Sequence, residues 1–199
     1  MIRQLPASAS LFGVLFFIVL GFAASAGADQ KDPRLPALFA KLKDAPSSDA
    51  ASAIESRIWT IWFASGDPEI DKLLDAGSQA MSARDFKAAL DAFNRVIEKR
   101  PDFAEGWNRR ATLYYLMGEY RKSLDDIGRT LALEPRHFGA LSGLGLVNLK
   151  LDRMAAAAQA FERVLAIDPR SDAAQQNLDM INAALKRKSI RRNVNSASG

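Results

Sequence analysis

The chain has 199 residues, with 27 basic against 23 acidic side chains, a formal net charge of +4, one histidine and no cysteine. Zero cysteine excludes disulfide scaffolds, thiolate metal sites and thiol nucleophiles, and a lone histidine excludes a paired-imidazole metal motif. Hydrophobic residues at 48% and charged residues at 25% are ordinary globular usage and exclude a mainly disordered chain.

Arg3 precedes an almost unbroken apolar run over residues 11–22, followed by the small stretches Ala24-Ser25-Ala26 and Ala26-Gly27-Ala28, with no acid before Asp29. This layout predicts a secretory signal peptide over residues 1–28. A retained membrane anchor is the alternative, because apolar and small residues continue from 11 to 28, the length at which a span becomes possible. The expected location is the periplasm, or else the inner membrane with the chain facing the periplasm. No cysteine follows the cleavage site to carry a lipid.

Residues 29–67 read as a linker and an N-terminal helical cap. Leu35, Leu38, Phe39 and Leu42, after Pro33 and Pro36, predict one short helix. A second starts near Ser48 or Asp49, carries Ile54, Ile58, Ile61 and Trp62 on one face, and ends before Gly66. The pair is expected to cap the helices C-terminal to it; a degenerate extra repeat is the alternative. Asp67-Pro68 then supplies an N-cap and a proline at the first helical position.

Beyond that point Pro101, Pro135 and Pro169 recur at a 34-residue step. Ala89, Ser123 and Ala157 share a phase, as do Phe93, Ile127 and Phe161, and Val96, Thr130 and Val164. Small, large and β-branched positions at i, i+4 and i+7 make an apolar helical stripe, which each proline terminates. A 34-residue unit holds two short helices, and repetition at that period is the mark of a stacked solenoid.

The middle unit, residues 104–137, has Trp107, Arg110, Ala111 and Tyr114 along its first helix, then Gly118, Ser123, Ile127 and Pro135. With its flanking copies, residues 70–103 and 138–171, it resembles the tetratricopeptide repeat family, whose pattern runs W-x2-L-G-x2-Y and closes on Pro. The resemblance implies an all-α, right-handed α-solenoid of three helix hairpins with helical caps at both ends. Trp107 is expected to anchor packing, so that truncation to Ala costs roughly 3–5 kcal/mol. Gly143 and Gly145 read as close-packing glycines.

The resemblance also implies that side chains of the first helices line a concave groove. Ser78, Met81, Asn108, Thr112, Tyr115, Ser142, Leu146 and Leu149 fall at such places, and Arg109 falls at the groove edge. Relatives that clamp a carboxylate terminus place Lys, Asn and Arg where this chain has Leu74, Ser78, Arg109, Gly139 and Gly143; that mode is not expected here. A groove mixing apolar with amide and hydroxyl groups suits a peptide or a partner helix.

Residues 172–186 predict a capping helix, with Leu178, Ile181 and Leu185 on its inner face, and residues 187–199 a basic disordered tail. Arg3 stands before residue 29 and five basic residues, Lys186, Arg187, Lys188, Arg191 and Arg192, lie past Leu185. The body between them therefore carries 21 of the 27 basic residues against all 23 acids, and the basic character sits in the tail. The tail is suited to weak contact with an anionic membrane; without interleaved aromatics and with a signal peptide, nucleic acid is not expected. Asp91 with Arg95 and Asp125 with Arg129 are expected as i, i+4 pairs on solvated faces. No catalytic constellation, metal site or cofactor motif emerges, and His137 reads as a helix-boundary residue. The expected function is a non-enzymatic periplasmic adaptor or scaffold that holds a protein or peptide partner; the alternative is a membrane-tethered assembly factor of the cell envelope.

Overall fold

The computed structural model describes residues 29–197, with side chains described to Ile190; the signal-peptide expectation for residues 1–28 lies outside them. The helices are α1 (Leu35–Lys43), α2 (Ser48–Phe63), α3 (Pro68–Ser82), α4 (Phe86–Lys99), α5 (Ala104–Leu116), α6 (Tyr120–Leu133), α7 (Phe138–Lys150), α8 (Met154–Ile167) and α9 (Asp172–Ala197). Among the described residues there is no strand. Helices α3 and α4, α5 and α6, and α7 and α8 pair as hairpins, each hairpin packs on the next, and α9 covers α8.

The 34-residue step is written into the backbone as well as the side chains. Arg84, Gly118 and Asp152 occupy the left-handed region, with φ of 60°, 77° and 55°, at the turn inside each hairpin. One residue later, Asp85 N donates to Ala80 O (2.9 Å), Glu119 N to Tyr114 O (2.9 Å) and Arg153 N to Asn148 O (2.8 Å). These bonds satisfy carbonyls that a helix end would leave unpaired. Only the middle turn uses glycine; the other two bear a side chain in a conformation that costs about 1–2 kcal/mol.

The apolar stripe of each second helix is buried. Phe93, Ile127 and Phe161 are at most 2% exposed. Gly77 and Gly145 lie so close to Phe93 and Phe161 that a Cβ on either would stand 2.5 Å from the ring. Ala111 occupies the matching place in the middle unit, where the smaller Ile127 leaves room for one methyl. The polar members of the stripe are satisfied: Ser123 Oγ donates to Ala111 O at 2.8 Å and Thr130 Oγ1 to Asp126 O at 3.0 Å.

Four expectations need correction. Trp107 is only half-buried; its indole N–H donates to Pro101 O at 2.9 Å, and Arg110 and Arg129 cover its ring at 5.1 and 5.9 Å. Its truncation therefore removes about 1–2 kcal/mol, less than a fully buried anchor. The expected Asp91–Arg95 and Asp125–Arg129 pairs do not form, since Asp91 lies 3.9 Å from Lys87 and Arg129 turns onto the Trp107 face. Gly143 is not a close-packing glycine, for a Cβ there meets nothing nearer than Ile127 Cδ1 at 3.6 Å. The basic run is helical, because α9 continues through it to Ala197; Lys and Arg favour helix, and no Gly or Pro interrupts them before Gly199.

The α1–α2 hairpin, together with the segment that precedes it, reaches all three inter-repeat junctions. At the first inter-repeat junction, Gln30 Nε2 donates to Asp102 O, Gln30 Oε1 accepts from Ala104 N (3.2 Å) and Lys31 Nζ reaches Asp102 at 2.8 Å. The hydrogen bond from Lys31 holds the Asp102 carboxyl below the ordinary carboxylate value. The second junction presents the Arg136 guanidinium, 4.2 Å from the centre of the Phe39 ring, and His137, stacked on Trp62 at 4.1 Å. At the third, Arg170 Nε donates to Ala45 O at 3.2 Å. One apolar cluster accordingly joins Leu35, Leu42, Ile58 and Trp62 of the hairpin to Phe138, Leu141 and Phe161 of the last repeat.

Candidate functional site

A cavity of about 170 Å³ opens between α5 and α7, with α6 behind it. Asn108, Ala111, Thr112 and Tyr115 come from α5, Ser123 and Ile127 from α6, and Gly139, Ala140, Ser142, Gly143, Leu146 and Val147 from α7. The lining follows from helical periodicity: residues three and four apart on α5 and α7 share the faces that meet. Five of the nine sequence-chosen groove residues, Asn108, Thr112, Tyr115, Ser142 and Leu146, are brought together there.

The other four stand elsewhere. Ser78 Oγ donates to Leu74 O in its own helix at 2.8 Å, and Met81 packs on the core of the first repeat. Leu149 packs against the cluster shared with the hairpin. Arg109 donates through Nε to Glu105 at 2.6 Å, and its guanidinium lies 4.3 Å from the centre of the Phe63 ring. Thus the last turn of α2 covers the position that sequence placed at the groove edge.

Beneath that turn lies a buried network that sequence patterns alone do not assemble. Glu105, 1% exposed, accepts from Arg109, from Asn108 Nδ2 at 2.9 Å and from His137 Nε2 at 3.1 Å. His137 is fully buried and its Nδ1 accepts from Ala140 N at 3.1 Å, capping α7. Because Nδ1 is an acceptor, the ring proton belongs on Nε2, where it donates to Glu105. Buried charge is tolerated only when paired and bonded in this way. The i, i+3 and i, i+4 spacing of Glu105, Asn108 and Arg109 is visible locally; the partnership with His137, 32 residues on, is not.

Trp59 closes the same end of the groove. A Cβ on Gly139 would stand 2.5 Å from the Trp59 ring, so the indole fills the space that a side chain at Gly139 would take. The clamp positions are consequently spent on structure: Leu74 is core, Ser78 bonds its own helix, Arg109 is paired, Gly139 is covered and Gly143 forms a cavity wall. Among the described residues no group of three His, Asp or Glu side chains is placed to hold a metal ion, and no helix is long and apolar enough to cross a membrane.

Helix hairpins stacked at a 34-residue step define the class as an α-solenoid. The tetratricopeptide repeat family profile matches residues 74–120 and 108–172, and the chain belongs to that family. A TPR repeat-containing protein of Rhizobium etli is 42% identical over 130 residues, which is 65% of this chain and 64% of that relative's length. The Sgt2 TPR domain from Aspergillus fumigatus is 24% identical with a TM-score of 0.58, covering 62% of this chain and 83% of that one. The first TPR of Spaghetti (RPAP3), solved bound to an HSP90 peptide, is 22% identical with a TM-score of 0.57, covering 59% and 93%. At these identities the two solved structures show a shared fold.

Proposed function

We propose that this chain is a non-enzymatic adaptor of the bacterial cell envelope that holds a segment of a protein partner in the groove between α5 and α7. The observation that carries the reading is the open cavity at that groove, rimmed by the hydroxyls of Thr112, Ser142 and Tyr115, while the Asn108 amide in its lining is buried and bonded to Glu105. Such a rim can bond a peptide backbone while the pocket takes a side chain. Solved relatives of the same fold hold peptides, the first TPR of Spaghetti among them. The apolar N-terminal run supports export to the periplasm, with cleavage near residue 28 or retention as an inner-membrane tether as the two forms of delivery. The basic end of α9 adds at most a weak, salt-sensitive contact with anionic headgroups.

A photo-crosslinker at Tyr115 in intact cells tests this, with Glu98 on the exposed face of α4 as the control position. The expected result is a discrete protein captured from Tyr115, absent from Glu98 and lost when Thr112→Glu places a charge on the rim. Equal capture from both positions overturns the groove. The mass of the uncrosslinked repeat chain is read in the same sample: a start near Gly27 or Asp29 marks the free periplasmic form, an intact Met1 the tethered one.

A further inference from the structure

We propose that the α5–α7 cavity is a pocket for one uncharged aliphatic side chain, supplied by an internal stretch of the partner, and that it rejects a free carboxylate terminus. This rests on the groove being the docking site. Its buried walls are Ala111, Ile127, Ala140 and Val147, Gly143 lines it beside them, and none of its lining residues carries a charge. A volume of about 170 Å³ is close to that of apolar cavities of about 150 Å³ that accept a benzene-sized group, and well below the roughly 300 Å³ at which drug-sized sites begin. One side chain fits.

The charge pattern decides which kind. A carboxylate entering the groove needs a cation to offset its desolvation, and the arginines of α5 and the second junction are already engaged. Arg109 is held by Glu105, Arg110 by both oxygens of Asp126 at 2.8 and 2.9 Å and by Asn94, and Arg136 by Glu134. Lys150 is exposed one turn beyond Leu146 and outside the lining. At the opposite end Trp59 lies against Gly139, a lining residue, so α2 blocks a chain from running out along the starts of α5 and α7. An apolar side chain loses only water on entry, whereas a charge finds no partner among the lining residues.

N-acetyl-leucinamide and N-acetyl-leucine share one side chain and differ in carrying no charge or a free carboxylate, and are the probes. Titrated into the full chain and followed by methyl NMR, the amide is expected to shift Ala111, Ala140 and Val147 saturably, with the acid binding at least about tenfold more weakly. Gly143→Leu grows into the cavity and should abolish the shifts; Gly143→Ala, a milder filling with room for its methyl, should weaken them partially. Acid binding as tight as the amide, or shifts that survive both substitutions, overturns the assignment. Capture at Tyr115 without leucinamide binding overturns this pocket chemistry while leaving groove docking intact, and loss of both removes the groove itself.

Discussion

Gly145 and Gly143 sit two residues apart on α7 and do opposite things. A methyl on Gly145 would meet Phe161 Cζ at 2.5 Å, whereas one on Gly143 meets only Ile127 Cδ1 at 3.6 Å. Forcing an extra group into a packed core costs about 1–3 kcal/mol, while Gly to Ala in an open helical position gains up to about 1 kcal/mol. Urea denaturation should therefore show Gly145→Ala lowering the midpoint and Gly143→Ala holding or raising it; the reverse order would mean that the hairpins pack differently. Sequence placed both glycines correctly in a helix of a repeat. It could not separate them, because the difference is which neighbour lies across the gap. The same holds for Asp126, whose partner Arg110 comes from the facing helix at 2.8 Å and not from its own.

At the scale of elements, α2 shows how a readable helix can have an unreadable role. Its start at Ser48, capped by Ser47 accepting from Ala50 N at 3.2 Å, follows from local chemistry. What it covers does not. Glu55 of α2 faces the buried Asp168 at the third junction, where Asp168 also accepts from Arg170 N and the Arg170 Nε is spent on Ala45 O. Burial, with the charge and hydrogen bond of Asp168 adding to it, pushes the Glu55 carboxyl up to about 7. Between its ordinary value of 4.5 and about 7, the folded chain keeps a proton that the unfolded chain has released, so stability falls as pH rises through that window. Glu55→Gln keeps a neutral hydrogen-bonding group there and should flatten this dependence. After solvent screening of a half-buried group, the gain above pH 7 is roughly 1 kcal/mol. Thermal melts across the window check it, and an unchanged slope in the variant would place the titration elsewhere.

For the whole molecule, the hairpin changes how the repeats cooperate. A bare solenoid holds together through nearest-neighbour contacts and can open one repeat at a time. Here α1 and α2 tie the second and third junctions to one apolar cluster, with Trp62 at 1% exposure in it, and the segment before α1 holds the first junction through Gln30 and Lys31. Trp62→Ala should cost about 3–5 kcal/mol and split unfolding so that the last repeat opens before the others, read as faster amide exchange in α7 and α8 than in α3 and α4. Trp107→Ala should cost about 1–2 kcal/mol and leave a single transition. Equal effects of the two would mean that the hairpin does not brace the stack.

The repeat period, the helical stripes and the hairpin architecture were all determined by the sequence alone, because each depends on spacings of three, four and 34 residues along one chain. Five residues that line the α5–α7 cavity could be named from the resemblance to the tetratricopeptide repeat family, which implies the face of each first helix that looks inward. Tertiary structure decided the rest. It set α2 over the starts of α5 and α7, joined Glu105 to His137 and His137 to Trp62, and left an uncharged cavity between α5 and α7. These are contacts between segments far apart in the chain, settled by which surfaces bury together and which charges find partners, and no local pattern encodes that pairing.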